Sequence, residues 1–229
     1  MRRTIQTRNQ RWMVPAALAL VGAAVALIVA LIRLGALPWQ SPAARQLSSA
    51  AAQRRVDKTD QVIWDYQQRV RQNPGDVDGY TVLGAAYLQK ARDTGDPSYY
   101  GKAQAVFDEA LRRDPQNVEA LIGAGTLANA RHQFRAALAI GERARALNPH
   151  VPRIYGVIAD AQTELGKYDA AVATLQTMVD MRPDLSSYSR VSYARELHGD
   201  LEGAVEAMQA AVSAGGPRSE EHTSELQSR

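Results

Sequence analysis

Three prolines stand 34 residues apart, at Pro115, Pro149 and Pro183. The stretch leading to the middle one reads Leu121, Ala124, Gly125, Ala128, then Phe134, Ala137, Ala144. Small residues at fixed offsets within a period of that length predict an array of helix–turn–helix units, each burying its apolar face against the next. Few other folds satisfy such a pattern, because every unit must repeat the same close helix crossing.

The remaining units follow from the same landmarks. The first holds Tyr80, Leu83, Gly84, Tyr87, Ala103, Phe107, Ala110 and Pro115, but its bounding prolines, Pro74 and Pro115, are 41 residues apart. The surplus of seven falls in Ala91–Tyr100, where Asp93-Thr94-Gly95-Asp96-Pro97 is a dense turn signal. It is therefore expected to lengthen the loop between the two helices. The third unit holds Tyr155, Ile158, Ala159, Gly166, Ala171, Met178 and Pro183, and the fourth Tyr188, Ser192, Gly199, Ala204 and Ala211. The fourth unit's landmarks come 33 residues after the third's, so the linker entering it is one residue short. The units span 76–115, 117–149, 151–183 and 185–217. Before them, Val56, Ile63, Tyr66 and Val70 near helical spacing predict a capping helix over 50–74, ended by Asn73-Pro74-Gly75.

This pattern resembles the tetratricopeptide repeat family. The small positions are Gly84, Gly125, Ala159, Ser192; Ala103, Ala137, Ala171, Ala204; and Ala110, Ala144, Met178, Ala211, with Met178 the one large residue. The resemblance covers about 72–216 and implies an all-α solenoid whose first helices line a concave face that binds an extended peptide or a helix. Carried over by register, it implies groove positions at Thr81, Ala85, Leu88 and Gln89 in the first unit, and Ile122, Thr126 and Asn129 in the second. The third contributes Arg153, Asp160, Thr163 and Glu164, and the fourth Ser189, Arg190, Tyr193 and Glu196. One subclass clamps a C-terminal carboxylate with Lys and Asn. Thr81, Ala85, Ile122 and Thr126 stand at those places, so that ligand is not expected here.

The N-terminus carries a different signal. Met13–Ile32 is a 20-residue run without a charge, and at helical rise it spans roughly 30 Å, the hydrocarbon thickness of a bilayer. It exceeds the apolar core of a signal peptide, and it is read as an uncleaved transmembrane helix over 13–32. Arg2, Arg3, Arg8 and Arg11 precede it, which keeps residues 1–12 in the cytoplasm and exports the array. Pro38–Ser49 reads as part of a tether covering 33–49. The net charge of +3 belongs to this end. Residues 1–40 hold five Arg and no acid, leaving 22 basic against 24 acidic residues elsewhere. The body therefore has no electrostatic footprint for nucleic acid. The absence of cysteine and of an Asn-x-Ser/Thr sequon fits a bacterial extracytoplasmic setting.

No catalytic constellation is present. The His residues are scattered, no phosphate-binding loop occurs, and Asp160 with Glu164 reads as a solvated helix face. No cofactor, metal or enzymatic activity is expected. The tail 218–229 is polar and is similar to a translated sequencing adapter, so the natural chain is expected to continue past Pro217. The reading is a membrane-anchored scaffold for a protein partner. Two alternatives are an accessory subunit of an envelope machine, such as cytochrome c maturation factors resemble in layout, and the regulatory part of a larger enzyme.

Overall fold

The computed structural model describes residues 42–215, and these are helices joined by short turns and linkers. The basic N-terminus, the apolar run 13–32 and the tail 218–229 lie outside them. Among the described residues no helix is long and apolar enough to cross a membrane. Nine helices are described: α1 (Pro42–Gln72), α2 (Val77–Thr94), α3 (Ser98–Arg113), α4 (Val118–Ala130), α5 (Phe134–Leu147), α6 (Pro152–Glu164), α7 (Tyr168–Met181), α8 (Leu185–Leu197) and α9 (Leu201–Ala214). The chain divides into two compact units at Asp57/Lys58, inside α1. The second of them, from Lys58 onward, holds the end of α1 and all eight later helices.

Pairs α2–α3, α4–α5, α6–α7 and α8–α9 form four helix–turn–helix units, each packed on its neighbour. The capping helix begins at Pro42, eight residues before the expected Ala50. Proline suits the first helical position, and Ala43, Ala44, Arg45, Gln46 and Leu47 are good helix formers. After Pro42 the stretch read as tether from its Pro, Ser and Ala content has no residue that must break a helix.

The surplus in the first unit is also placed differently from expectation. In all four units three residues separate the paired helices, 95–97 in the first and 131–133, 165–167 and 198–200 in the others. The seven extra residues lie in the helices themselves. α2 has 18 residues and α3 has 16, against 13 and 14 in each later unit. The extra turn of α2 is held by α1: Thr59 donates to Asp93 at 3.1 Å and Lys90 pairs with Asp60 at 2.5 Å. The short linker before the fourth unit is present, three residues at 182–184 against four at 114–117 and 148–151.

Caps set the helix starts. Asp76, Asn117 and Asp184 each accept the amide three residues on, and Asp184 with Ser187 completes a capping box. The turns within units need a left-handed residue, supplied by Gly95, Gly166 and Gly199, and by His132 at φ 57° in the second.

All twelve small-position residues are buried. Phe107 shows what the glycines allow. Its ring is fully buried between Gly84 of its own unit and Gly123 of the next, and a Cβ on either glycine would overlap it. The larger core cluster joins Leu121, Ile122, Ile154, Val157, Ile158 and Met178 across the second and third units. Burying each such aliphatic side chain contributes about 1.5–3 kcal/mol.

Candidate functional site

Successive first helices touch: α2 with α4, α4 with α6, and α6 with α8. The second helices α3, α5 and α7 are instead wedged between their own first helix and that of the following unit. The side on which neighbouring helices come together is the inner side of the array, so α2, α4, α6 and α8 form its candidate binding face.

Only part of the expected groove set lies open on that face. Gln89, Thr126, Asn129, Asp160, Ser189 and Arg190 are half-buried, and Ala85, Arg153, Glu164, Tyr193 and Glu196 are exposed. Thr81, Leu88, Ile122 and Thr163 are buried. These four are taken up by packing. Leu88 sits in the cluster around Phe107, Ile122 in the one around Ile158, and the Thr81 hydroxyl donates to its own helix at the Val77 carbonyl. α4 and α6 are each enclosed by a partner helix and by first helices on both sides, and α2 and α8 by a partner helix and one neighbouring first helix. A strip narrower than the register implied is left free.

The polar residues on this face tie units together. Arg190 of α8 holds Asp160 of α6 in a bidentate pair, at 2.7 Å from Nε and 2.9 Å from the second nitrogen, and also donates to Ser186. Its guanidinium lies over Gly156, whose Cβ, if present, would stand 3.3 Å from it. Burial works against the Arg190 charge, but the Asp160 hydrogen bonds and the charges of Asp160 and Asp184 outweigh it and raise its pKa. Arg153 pairs with Glu119, and Asn129 donates to the Val157 carbonyl at 3.0 Å. Gln89 donates to Asp93 and accepts from Arg92.

Sequence reasoning left out Asp60, Lys90, Asp93, Glu119 and Ser186. The signal for most of them was present. Thr59 with Asp93 and Glu119 with Arg153 are 34 residues apart, while Asp60 with Lys90 and Asp160 with Arg190 are 30 apart. A partner one period on, or one period less a helical turn, is what a first helix lying beside the first helix before it, or α2 lying beside α1, requires.

A cleft of about 200 Å³ opens between α7, α8 and the turn at 198–200, with Val172, Leu175, Val191 and Ala194 on its walls and Arg195 and His198 at its edge. In the preceding unit, half-buried Leu165 stands where His198 stands, one residue before the left-handed glycine. Among the described residues no group of three or more His, Cys, Asp or Glu is placed to hold a metal.

Residues 91–152 match one tetratricopeptide-repeat family model and residues 128–194 match another. Residues 91–194 thus carry tetratricopeptide repeats. Solved structures agree on the fold. A thermophilic tetratricopeptide-repeat protein of Thermus thermophilus superposes with a TM-score of 0.61 at 16% identity, covering 80% of this chain and 88% of that one. A MamA crystal structure gives 0.51 at 19% identity, with 81% of this chain and 98% of that one covered. MamA from Desulfovibrio magneticus RS-1 gives 0.52 at 20%, with 74% and 93% covered. At such identities the likeness is one of fold. No curated protein matches the sequence.

Proposed function

We propose that this chain is a tetratricopeptide-repeat scaffold that binds a segment of a partner protein along the inner face of α2, α4, α6 and α8. The observation that carries this reading is the side-by-side run of first helices whose charged groups are mostly spent on one another. Asp160 with Arg190 and Glu119 with Arg153 are paired; beyond their bonds within their own helices Gln89 keeps the second hydrogen of its amide and Thr126 the lone pairs of its hydroxyl, and Tyr193 offers an exposed ring. Such neutral donors and acceptors suit the main chain of an extended peptide. The apolar run 13–32 and its preceding arginines support display outside a bacterial cytoplasmic membrane. The protein acts by binding, without catalysis of its own.

The test is site-specific photocrosslinking in cells. A photoreactive residue at Gln89 or Tyr193, on the inner face, should trap one partner that the same residue at exposed Arg112 does not. Equal trapping at Arg112, or none at the inner positions, would overturn the groove reading. For the membrane placement, protease added outside spheroplasts should digest the array. Its survival there would contradict export.

A further inference from the structure

One junction of the array is left open where its neighbour is filled. Between α5 and α6, half-buried Leu138 packs against the clusters that hold Ile158 and Ala161, both completely buried. Half-buried Leu165 stands at the end of α6. One repeat on, between α7 and α8, the same four places are Val172, Val191, Ala194 and His198. Both large aliphatic walls have lost one carbon, and an imidazole replaces the leucine at the turn. Leu175, in the place of Gly141, makes the floor against Ala194. Val172 is left 49% exposed, and a cleft of about 200 Å³ opens. An apolar cavity of about 150 Å³ already takes a benzene-sized group.

This cleft lies inside the array and off its inner face, because one wall is the second helix α7. A first helix packs chiefly on the two helices of the unit before it, as α6 does on α4 and α5. A unit following α9 would therefore leave the α7 wall uncovered.

The rim is polar and fixed. The His198 Nδ1 donates to the Ala194 carbonyl at 2.7 Å, and its ring meets Tyr168 edge to face at 5.3 Å. The neutral ring then presents Nε2 as an acceptor. One terminal nitrogen of Arg195 donates to the Gly203 carbonyl and lies 3.6 Å from Glu206, and its Nε lies 3.9 Å from Asp200. The other terminal nitrogen meets no acceptor among the described residues. Two carboxylates already face this cation, so the rim disfavours a ligand carboxylate and suits a neutral carbonyl.

We propose that the cleft between α7 and α8 anchors one leucine- or isoleucine-type side chain of a partner protein, with the partner's adjoining main-chain amides on the rim. The chain supplies the template, since at α5–α6 it fills the same place with leucines of its own. The partner's N–H groups face His198 Nε2 and its carbonyls face Arg195. This anchor adds a second contact to any segment held on the inner face.

The probe is N-acetyl-leucinamide, a leucine side chain between two main-chain amides. It is titrated into the full chain with isotope-labelled Val and Leu methyl groups and followed by NMR. Saturable shifts are expected at Val172, Leu175 and Val191, with a Kd on the order of a few mM for so small a ligand. Leu138 and Val157 at the filled junction should not move, and N-acetylglycinamide should shift none of them. Val172→Leu with His198→Leu rebuilds the filled junction. It should weaken binding at least about fivefold and raise the melting temperature by about 2 °C. If that pair melts lower than the parent, Val172→Leu alone, at an exposed position, should still weaken binding about threefold. No saturation, or binding that these variants leave unchanged, overturns the proposal. Tighter binding of N-acetyl-leucine, with its free carboxylate, would assign the cleft to a small acid instead. Shifts of the same methyls on removal of residues 216–229, without probe, would assign it to that tail. Either result also overturns the proposal, and none of them bears on crosslinking at Gln89, which tests the inner face by itself.

Discussion

The third and fourth units share a plan of 13- and 14-residue helices joined by three residues, yet they are unequal in their cores. Ile154 and Ile158 of the third unit are completely buried. The residues 33 places on are Ser187 and Val191. Ser187 is equally buried, but it spends its hydroxyl on the carbonyls of Arg182 and Asp184, and Val191 is only half-buried. Of the large apolar residues exposed in the structure, Leu185, Tyr193, Leu197, Leu201, Val205, Met208 and Val212 all belong to the fourth unit. The difference teaches how a solenoid distributes stability. Register decides which positions point inward, and a neighbour on the far side decides whether they are sealed.

The widest separation between the two units should come from matched core truncations. Ile158→Ala is expected to cost about 2–5 kcal/mol, while Val191→Ala, from a smaller and half-open site, should cost about half as much or less. Thermal melts of the two variants give the ranking, and equal losses would erase the distinction between sealed and open units.

A smaller effect sharpens the crossing itself. Ala171 is 1% exposed where α6 and α7 meet, so Ala171→Leu overpacks that contact at about 1–3 kcal/mol and should lower the melting temperature by several degrees. Gln176→Leu, at an exposed position of the same helix, is the control. A shift at residue 171 no larger than at 176 would refute the register.

The smallest effect is acid-dependent and lies at the opposite end. The Arg69 side chain and the Gly79 amide hold Asp76, the cap of α2, below the usual carboxylate range. Its stabilisation is therefore complete above an unfolded carboxylate pKa near 4 and fades as pH drops through the lower folded value. Asp76→Ala should cost about 1 kcal/mol at pH 7. Asp76→Asn keeps a cap but cannot pair with Arg69, and it should lose less stability than the wild type between pH 5 and pH 3. Parallel losses would show that this carboxylate is not acid-linked to folding.

The repeat was legible because its determinants are local: a proline period, small residues at crossings and one dropped residue before Asp184. The helices' extra length in the first unit was not. The turn signal at 93–97 marks where the chain reverses but not how far α2 runs before it, and that length depends on Lys90 and Asp93 meeting α1. The inner face was legible in part. Positions such as Gln89, Asn129 and Glu164 keep some exposure, whereas Leu88 and Ile122 are sealed in clusters that include residues of the next unit, a contact that a single helix's register does not contain. The pairs at spacings of 30 and 34 were readable and become meaningful once first helices are known to lie side by side.

Native-state amide hydrogen exchange on the full chain tests the account most directly. Protection should be highest and nearly uniform from α4 through α7, where every helix is enclosed, and should fall in α8 and α9, with α9 exchanging at least about a hundredfold faster. Equal protection of α6–α7 and α8–α9 would contradict the claim that a following helix, rather than register alone, seals each unit.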